Sequence, residues 1–189
     1  MFTEESYPER GFIATDYLKN FVTPGCTNKL HRHPCCGLMV IERGEVAVTA
    51  HGNTIRVGGG AVIFHPPGVI YKHFTSSNEL YERYRIRFYP ELIPSLDEKT
   101  REGLSTHSVK QLSHSDFEDV LSLTRMLHKR CQGEGAASLL SVSLLTSLLS
   151  LVFSAESREV REPEGYIHKV TEYIRENCQD KLTASDVAK

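Results

Sequence analysis

The hydrophobic pattern of this chain changes period once, near Pro94, and that change restricts the fold more than any other feature. Across residues 12–88, short apolar runs are cut by Gly and Pro, which predicts an all-β sandwich or barrel. Residues 38–41 are a compact apolar run closed by Arg43-Gly44, after which Val46 and Val48 alternate with Glu45, Ala47 and Thr49. His51-Gly52-Asn53 predicts a turn before residues 54–57. Gly58-Gly59-Gly60 predicts another before residues 61–64, and Pro66-Pro67-Gly68 stops that strand. Residues 81–88 alternate strictly, with Tyr84, Ile86 and Phe88 on one face and Tyr81, Arg83, Arg85 and Arg87 on the other. If the arginine face meets solvent, it is a solvated row. If it faces a barrel lumen, an Arg beside Tyr84 or Tyr81 could fork onto a sugar hydroxyl or a carboxylate.

Past Pro94 the period is helical. Ser115-Asp116-Phe117-Glu118 reads as a capping box, and Phe117, Val120, Leu121, Thr124 and Leu127 follow at helical spacing until Gly133 and Gly135 break it. A second helix is predicted over residues 136–154. Leu140, Leu144, Leu148 and Leu151 form one stripe on it, and Leu139, Leu145, Leu149 and Val152 form its neighbour. So apolar a helix has two faces to bury, one in its own domain and the other against a second subunit or the same core. Residues 135–155 carry no charge and could span a bilayer by length. Seven hydroxyl side chains among them, and no Trp or Tyr at their ends, predict a buried helix instead.

Residues 157–164 read as a charged linker containing Pro163. Residues 166–177 are again helical, with Ile167, Val170, Tyr173 and Ile174 on one side. Thr183-Ala184-Ser185-Asp186 then announces a helix that has only about six residues before the sequence ends, too few to stand alone in water. The chain is therefore expected to end inside a domain of a longer protein.

With 189 residues there is room for one ordinary domain and part of a second. Lys and Arg number 22 against 24 Asp and Glu, which excludes a uniformly basic nucleic-acid binder. The five cysteines (Cys26, Cys35, Cys36, Cys131, Cys178) are odd in number and form no Cys-x-x-Cys pair, and residues 1–10 are acidic and polar rather than an apolar leader. Free thiols in a reducing cytoplasm are the expectation. No Gly-x-Ser-x-Gly, P-loop or dinucleotide-binding glycine pattern is present, and Gly58-Gly59-Gly60 precedes a strand rather than a helix.

The densest polar constellation is Gly25-Cys26-Thr27-Asn28-Lys29-Leu30-His31-Arg32-His33, followed later by Gly44. In a strand His31 and His33 share a face, and Tyr71-Lys72-His73 could bring a third imidazole beside them. The spacing resembles the two short motifs of the cupin superfamily: Gly, five residues and His-x-His, then Gly, five residues, Pro-x-Gly and a later His. Where that family's glutamate ligand would fall, this chain has Gly37 and Leu38. Where its second-motif histidine would fall it has Tyr71, with His73 two residues on. The motifs thus support a barrel more than a metal. The candidate ligand-binding residues are His31, His33, Tyr71, His73, Tyr84 and Arg85, and His31, His33 and His73 are the alternative metal set.

Tyr173-Ile174-Arg175-Glu176-Asn177 and Leu182-Thr183-Ala184-Ser185-Asp186-Val187-Ala188 complete a recognisable order: barrel, two helices, then the opening of a helix-turn-helix unit. The whole resembles the AraC/XylS family of bacterial transcription regulators. The resemblance implies a mainly β, cupin-like (jelly-roll) barrel over residues 1–110, a helical dimerisation segment over 111–157 with Leu140, Leu144, Leu148 and Leu151 at the interface, and the truncated first helices of a DNA-binding domain over 158–189. It also implies a small-molecule effector such as a sugar or small acid, a homodimer, no cofactor, no membrane, a cytoplasmic location, and DNA as a partner of the full protein but not of this polypeptide alone. The rival readings are a metal-dependent cupin enzyme (dioxygenase, isomerase or decarboxylase) using His31, His33 and His73, and a dimerisation scaffold with a filled barrel.

Overall fold

The computed structural model describes residues 8–21, 30–75, 80–93, 95–132 and 137–156. Among these residues nine antiparallel strands form two sheets. The first sheet has the order β1 (Ile13–Phe21), β8 (Leu80–Phe88), β3 (Cys36–Arg43), β6 (Ala61–His65) and β9 (Ser108–Gln111). The second has the order β2 (His31–Arg32), β7 (Ile70–Phe74), β4 (Val46–Ala50) and β5 (Asn53–Val57). The helices α1 (Glu98–Gly103), α2 (His114–Arg130) and α3 (Leu139–Ser154) follow or flank the last strand. The mainly β class with appended helices is as the sequence predicts.

Strand alternation divides the five-stranded sheet into two apolar faces. Leu38, Val40, Val62, Phe64, Ile86 and Phe88 point one way, into a continuous core with α2 and α3. Met39, Ile41, Ala61, Ile63 and Tyr81 point the other way and pack against Val46, Val48 and Val57 of the four-stranded sheet. The molecule is therefore three layers: helices, a sheet buried on both faces, and a second sheet. At the β3–β4 turn Gly44 has φ +84°, and a Cβ there would lie 2.8 Å from the carbonyl oxygen of Leu80, so both conformation and space require glycine.

The helices begin where hydroxyl and carboxylate side chains cap them. The Thr100 amide donates to Asp97 Oδ1 (2.8 Å) at α1, and Ser113 and Ser138 accept from the amides of Asp116 and Ser141 at α2 and α3. The α2 cap is thus Ser113, two residues ahead of the predicted box, because Ser115 already lies within the first turn. The predicted stripe of Phe117, Val120, Leu121, Thr124 and Leu127 is the buried face of α2. At the far end of α3, Lys110 Nζ donates to the carbonyls of Val152 (2.9 Å), Phe153 (3.2 Å) and Ala155 (3.3 Å), tying β9 to the negative end of the helix.

The four-leucine stripe expected at a subunit interface is split. Leu144 and Leu148 lie inside the sheet–helix core with Leu145, Leu149, Val152 and Phe153, so they are closed to a partner; Leu140 and Leu151 stay exposed, as does Leu139. The sequence shows two adjacent stripes, and the sheet takes the groove between them. Among the described residues no helix is long and apolar enough to cross a membrane. The expectations for residues 157–189, including the helix-turn-helix phrases, lie outside the described residues, as do Cys26 and Cys178.

Candidate functional site

The face of β8 that carries Tyr81 also carries Arg83, Arg85 and Arg87, and Tyr81 belongs to the cluster between the two sheets. The arginine row therefore faces the sandwich interior, not solvent. Arg87 is buried, and the side chains of Arg83 and Arg85 are only 15% and 25% exposed. Apolar side chains fill the interior around Met39, Ile41 and Ile63, and the charge of Arg85 acts on His31, His33 and His73, with that of Arg83 also acting on His73.

Those rings form a connected column. His31 lies 5.7 Å, centroid to centroid, from both His33 and Tyr71. Tyr71 stacks on His65 at 3.5 Å with 9° between planes, and His65 stacks on His107 at 4.8 Å and 7°. His73 sits 4.8 Å from Tyr71, and its Nε2 is 3.0 Å from Nε2 of His65, so one of these two neutral rings donates and the other accepts. The register explains the gathering: His31 pairs with Tyr71 across β2 and β7, while Gly37 opposite His65 leaves its side of the ladder open. His65 Nδ1 is buried and, among the described residues, has no hydrogen-bond partner.

Electrostatically the interior is cationic with neutral imidazoles. Burial, reinforced by the charges of Arg83, His31 and other neighbours, pushes His73 down to about 3. Burial, His31 and Arg85 push His33 to about 4. Burial followed by His73 and His107 holds His65 well below the ordinary histidine range. Burial and then Arg85 lower His31. Burial also lowers His107, although its Nδ1 is 2.8 Å from the Phe64 carbonyl and that bond acts in the opposite direction. The Cys35 thiol is raised by burial against the opposing pull of Arg85, and burial raises Cys36 to about 12, so neither is a ready thiolate near neutral pH.

Of the residues expected to bind a ligand, His31, His33, Tyr71 and His73 are brought together, and Arg85 faces the same interior. Tyr84 is not. It lies on the opposite face of β8, 4.7 Å from the Tyr17 ring and 5.4 Å from His128 of α2. The strict alternation of β8 already separated it from Arg85. His65 and His107 were missed. His65 shares the Ala61-Ile63 side of its strand, a parity that could have found it; His107 arrives only through the β6–β9 pairing.

The alternative metal set does not fit this arrangement. The Tyr71 ring packs against all three imidazoles, 5.7 Å from His31, 5.5 Å from His33 and 4.8 Å from His73, centroid to centroid. The carboxylate a cupin centre would use is replaced by Gly37, opposite His65, and by Leu38, buried in the sheet–helix core. Among the described residues no group of three or more His, Cys, Asp or Glu side chains has an arrangement that could hold a metal ion.

Comparison with known proteins follows the same lines. No curated protein matches the sequence. The structure is similar to that of ToxT from Vibrio cholerae at 13% identity, covering 93% of this chain and 69% of that one with a TM-score of 0.51. A structure of Vibrio cholerae ToxT bound to (E)-4-(8-methylnaphthalen-1-yl)but-3-enoic acid gives 11% identity, 93% and 70% coverage and a TM-score of 0.51. A Cupin 2 conserved barrel domain protein from Salinispora arenicola gives 17% identity over 47% of this chain and 74% of that one, with a TM-score of 0.38. The family model described as the AraC-like ligand binding domain matches residues 24–149, most of the chain and all of the two-sheet interior from β2 to β9. The chain belongs to the family of AraC-like ligand-binding domains.

Proposed function

We propose that this chain is the effector-sensing portion of a cytoplasmic AraC-type transcription regulator, and that its effector is a small organic acid held between the two sheets. The observation that carries this reading is the row of Arg83, Arg85 and Arg87 facing imidazoles that stay uncharged at neutral pH. A fixed set of guanidiniums in a partly dry interior favours a carboxylate by charge-assisted bonds, and neutral imidazoles can donate or accept around it without repelling it. A sugar would bring no negative charge to the arginine row, so the acid is favoured over the sugar. The carboxylic acid in the ToxT structure supports the choice of ligand class.

On this reading the chain is a binding module rather than an enzyme. The barrel occupies residues 1–110, the helical segment 111–157 carries the dimer contact, and 158–189 opens the DNA-reading domain. Leu139, Leu140 and Leu151 are the exposed leucines of α3 available to a second copy. Binding controls transcription only if the acid favours one arrangement of the dimer over another. Calorimetric titration at pH 7 with aliphatic and aromatic monocarboxylates and with aldoses tests the assignment. An acid is expected to bind, with roughly 10- to 100-fold loss in Arg85→Gln and no loss in Tyr84→Phe. Binding of an aldose with no response to any acid would contradict it.

A further inference from the structure

The guanidiniums of this interior already hold one carboxylate, and it belongs to the chain itself. Asp16 Oδ2 lies 2.6 Å from Arg85 Nε, and Oδ1 lies 3.2 Å from Arg83 Nη1. One carboxylate thus bridges two arginines two residues apart on the same face of β8. The cations and the anion are held very differently. β8 is paired on both sides, by β1 and β3, whereas among the described residues β1 is an edge strand paired only with β8. The Asp16 side chain is 43% exposed against 15% and 25% for its two partners, so a rotation takes it into water while the arginines stay in place. An ion pair with so exposed a partner is weakly held.

We propose that Asp16 is an internal competitor for the effector's carboxylate. It occupies the Arg83–Arg85 seat in the ligand-free protein, and the acid must displace it to bind; the inference rests on the acid reading given above. Two properties follow. Affinity is reduced by the fraction of molecules in which Asp16 holds the seat. A neutral molecule that binds elsewhere between the sheets leaves the ion pair in place and pays no such penalty. The bridging geometry also describes what the site accepts: a carboxylate whose two oxygens reach two guanidiniums at once.

The test is titration of wild type, Asp16→Asn and Asp16→Glu with the same monocarboxylates and aldoses at constant salt. Asp16→Asn keeps the shape and removes the charge, and is expected to bind the acid about tenfold more tightly with aldose binding unchanged. Asp16→Glu keeps a competing carboxylate and stays within about threefold of wild type. A merely structural role for Asp16 would weaken binding in the Asn variant, so a gain cannot come from damage. Equal or weaker acid binding by Asp16→Asn, with wild type still binding acids and Arg85→Gln still impaired, overturns the competitor and leaves the acid reading standing. Failure of every acid on both wild type and Asp16→Asn overturns both. If Asp16→Asn does not fold, acid binding by Asp16→Glu that is more than tenfold tighter than wild type's overturns the proposal, and parity upholds it.

Discussion

The two faces of the five-stranded sheet are buried to similar degrees and do opposite jobs. Toward the helices, Leu38, Val40, Phe64, Ile86 and Phe88 meet Leu145, Leu148 and Leu149 in an apolar core. Toward the second sheet, the same strands contribute Met39, Ile41 and Ile63 but also His65, Arg83, Arg85 and Arg87. Burial of apolar surface stabilises by about 25 cal/mol per Å², whereas burying imidazole and guanidinium groups costs free energy unless they are bonded or bind something. The helix-facing layer therefore holds the fold together, and the sheet-facing layer carries the polar groups whose burial is costly. β8 makes the contrast within one strand, with Ile86 and Phe88 on one side and three arginines on the other.

The largest expected effect breaks the helix-facing layer. Leu148 is fully buried on α3, and Leu148→Ala should cost about 2–5 kcal/mol in denaturant unfolding, while any molecules that remain folded keep their acid affinity. A fall in affinity at unchanged stability would erase the distinction between the layers.

The sheet-facing layer should show itself through pH. Its histidines take up protons near pH 6.5 when unfolded, but His33 does so only near 4 and His73 near 3 when folded. Folded values below the unfolded ones mean that the unfolded state binds more protons in that window. Stability is thus fully present above about pH 6.5 and is lost as pH falls toward 4, by up to about 1.4 kcal/mol per pH unit for each histidine. A melting temperature about 10 °C lower at pH 5 than at pH 7 is expected. A bound acid should reduce that loss by supplying a counter-charge to the protonated rings. A flat melting profile over this range would mean the imidazoles are not buried neutral.

A smaller effect tests the packing of α1 on α3. A Cβ on Gly103 would meet the Phe153 ring well inside contact distance, so Gly103→Ala should destabilise by about 1–3 kcal/mol, read from the denaturation midpoint. The smallest concerns the outer surface of α3. Leu140 is 48% exposed, and Leu140→Ser should change monomer stability by no more than about 0.5 kcal/mol. If α3 carries the dimer contact, the same change lowers the sedimentation coefficient at micromolar concentration.

How much of this was legible beforehand follows from what period-2 and helical patterns encode. The strands from β3 to β6, the alternation of β8 and the buried face of α2 could be read directly, because each depends on residues close in sequence. Which face of β8 looks inward could not be read, since alternation is symmetric and both faces turned out to be covered. The same ambiguity left two stripes on α3, of which the sheet chose the groove between. His31, His33 and Tyr71-Lys72-His73 stood out because they cluster in sequence. His107 did not, because it reaches His65 only through the pairing of β9 with β6, across more than forty residues. Asp16 was hidden in the same way: its partners lie sixty-seven and sixty-nine residues on, across the β1–β8 ladder.

The measurement that bears most directly on the central claim is side-chain ¹⁵N NMR of the histidines during titration with the tightest-binding monocarboxylate. If the acid sits between the sheets, the imidazole signals of His31, His33, His65 and His73 shift and saturate together, while leucine methyls of α3 hold their positions. If those imidazoles stay silent and the shifts fall instead around the outer cleft lined by Pro66, Pro90, Ile93, Arg101 and Leu104, the interior is not the effector site and the account is wrong.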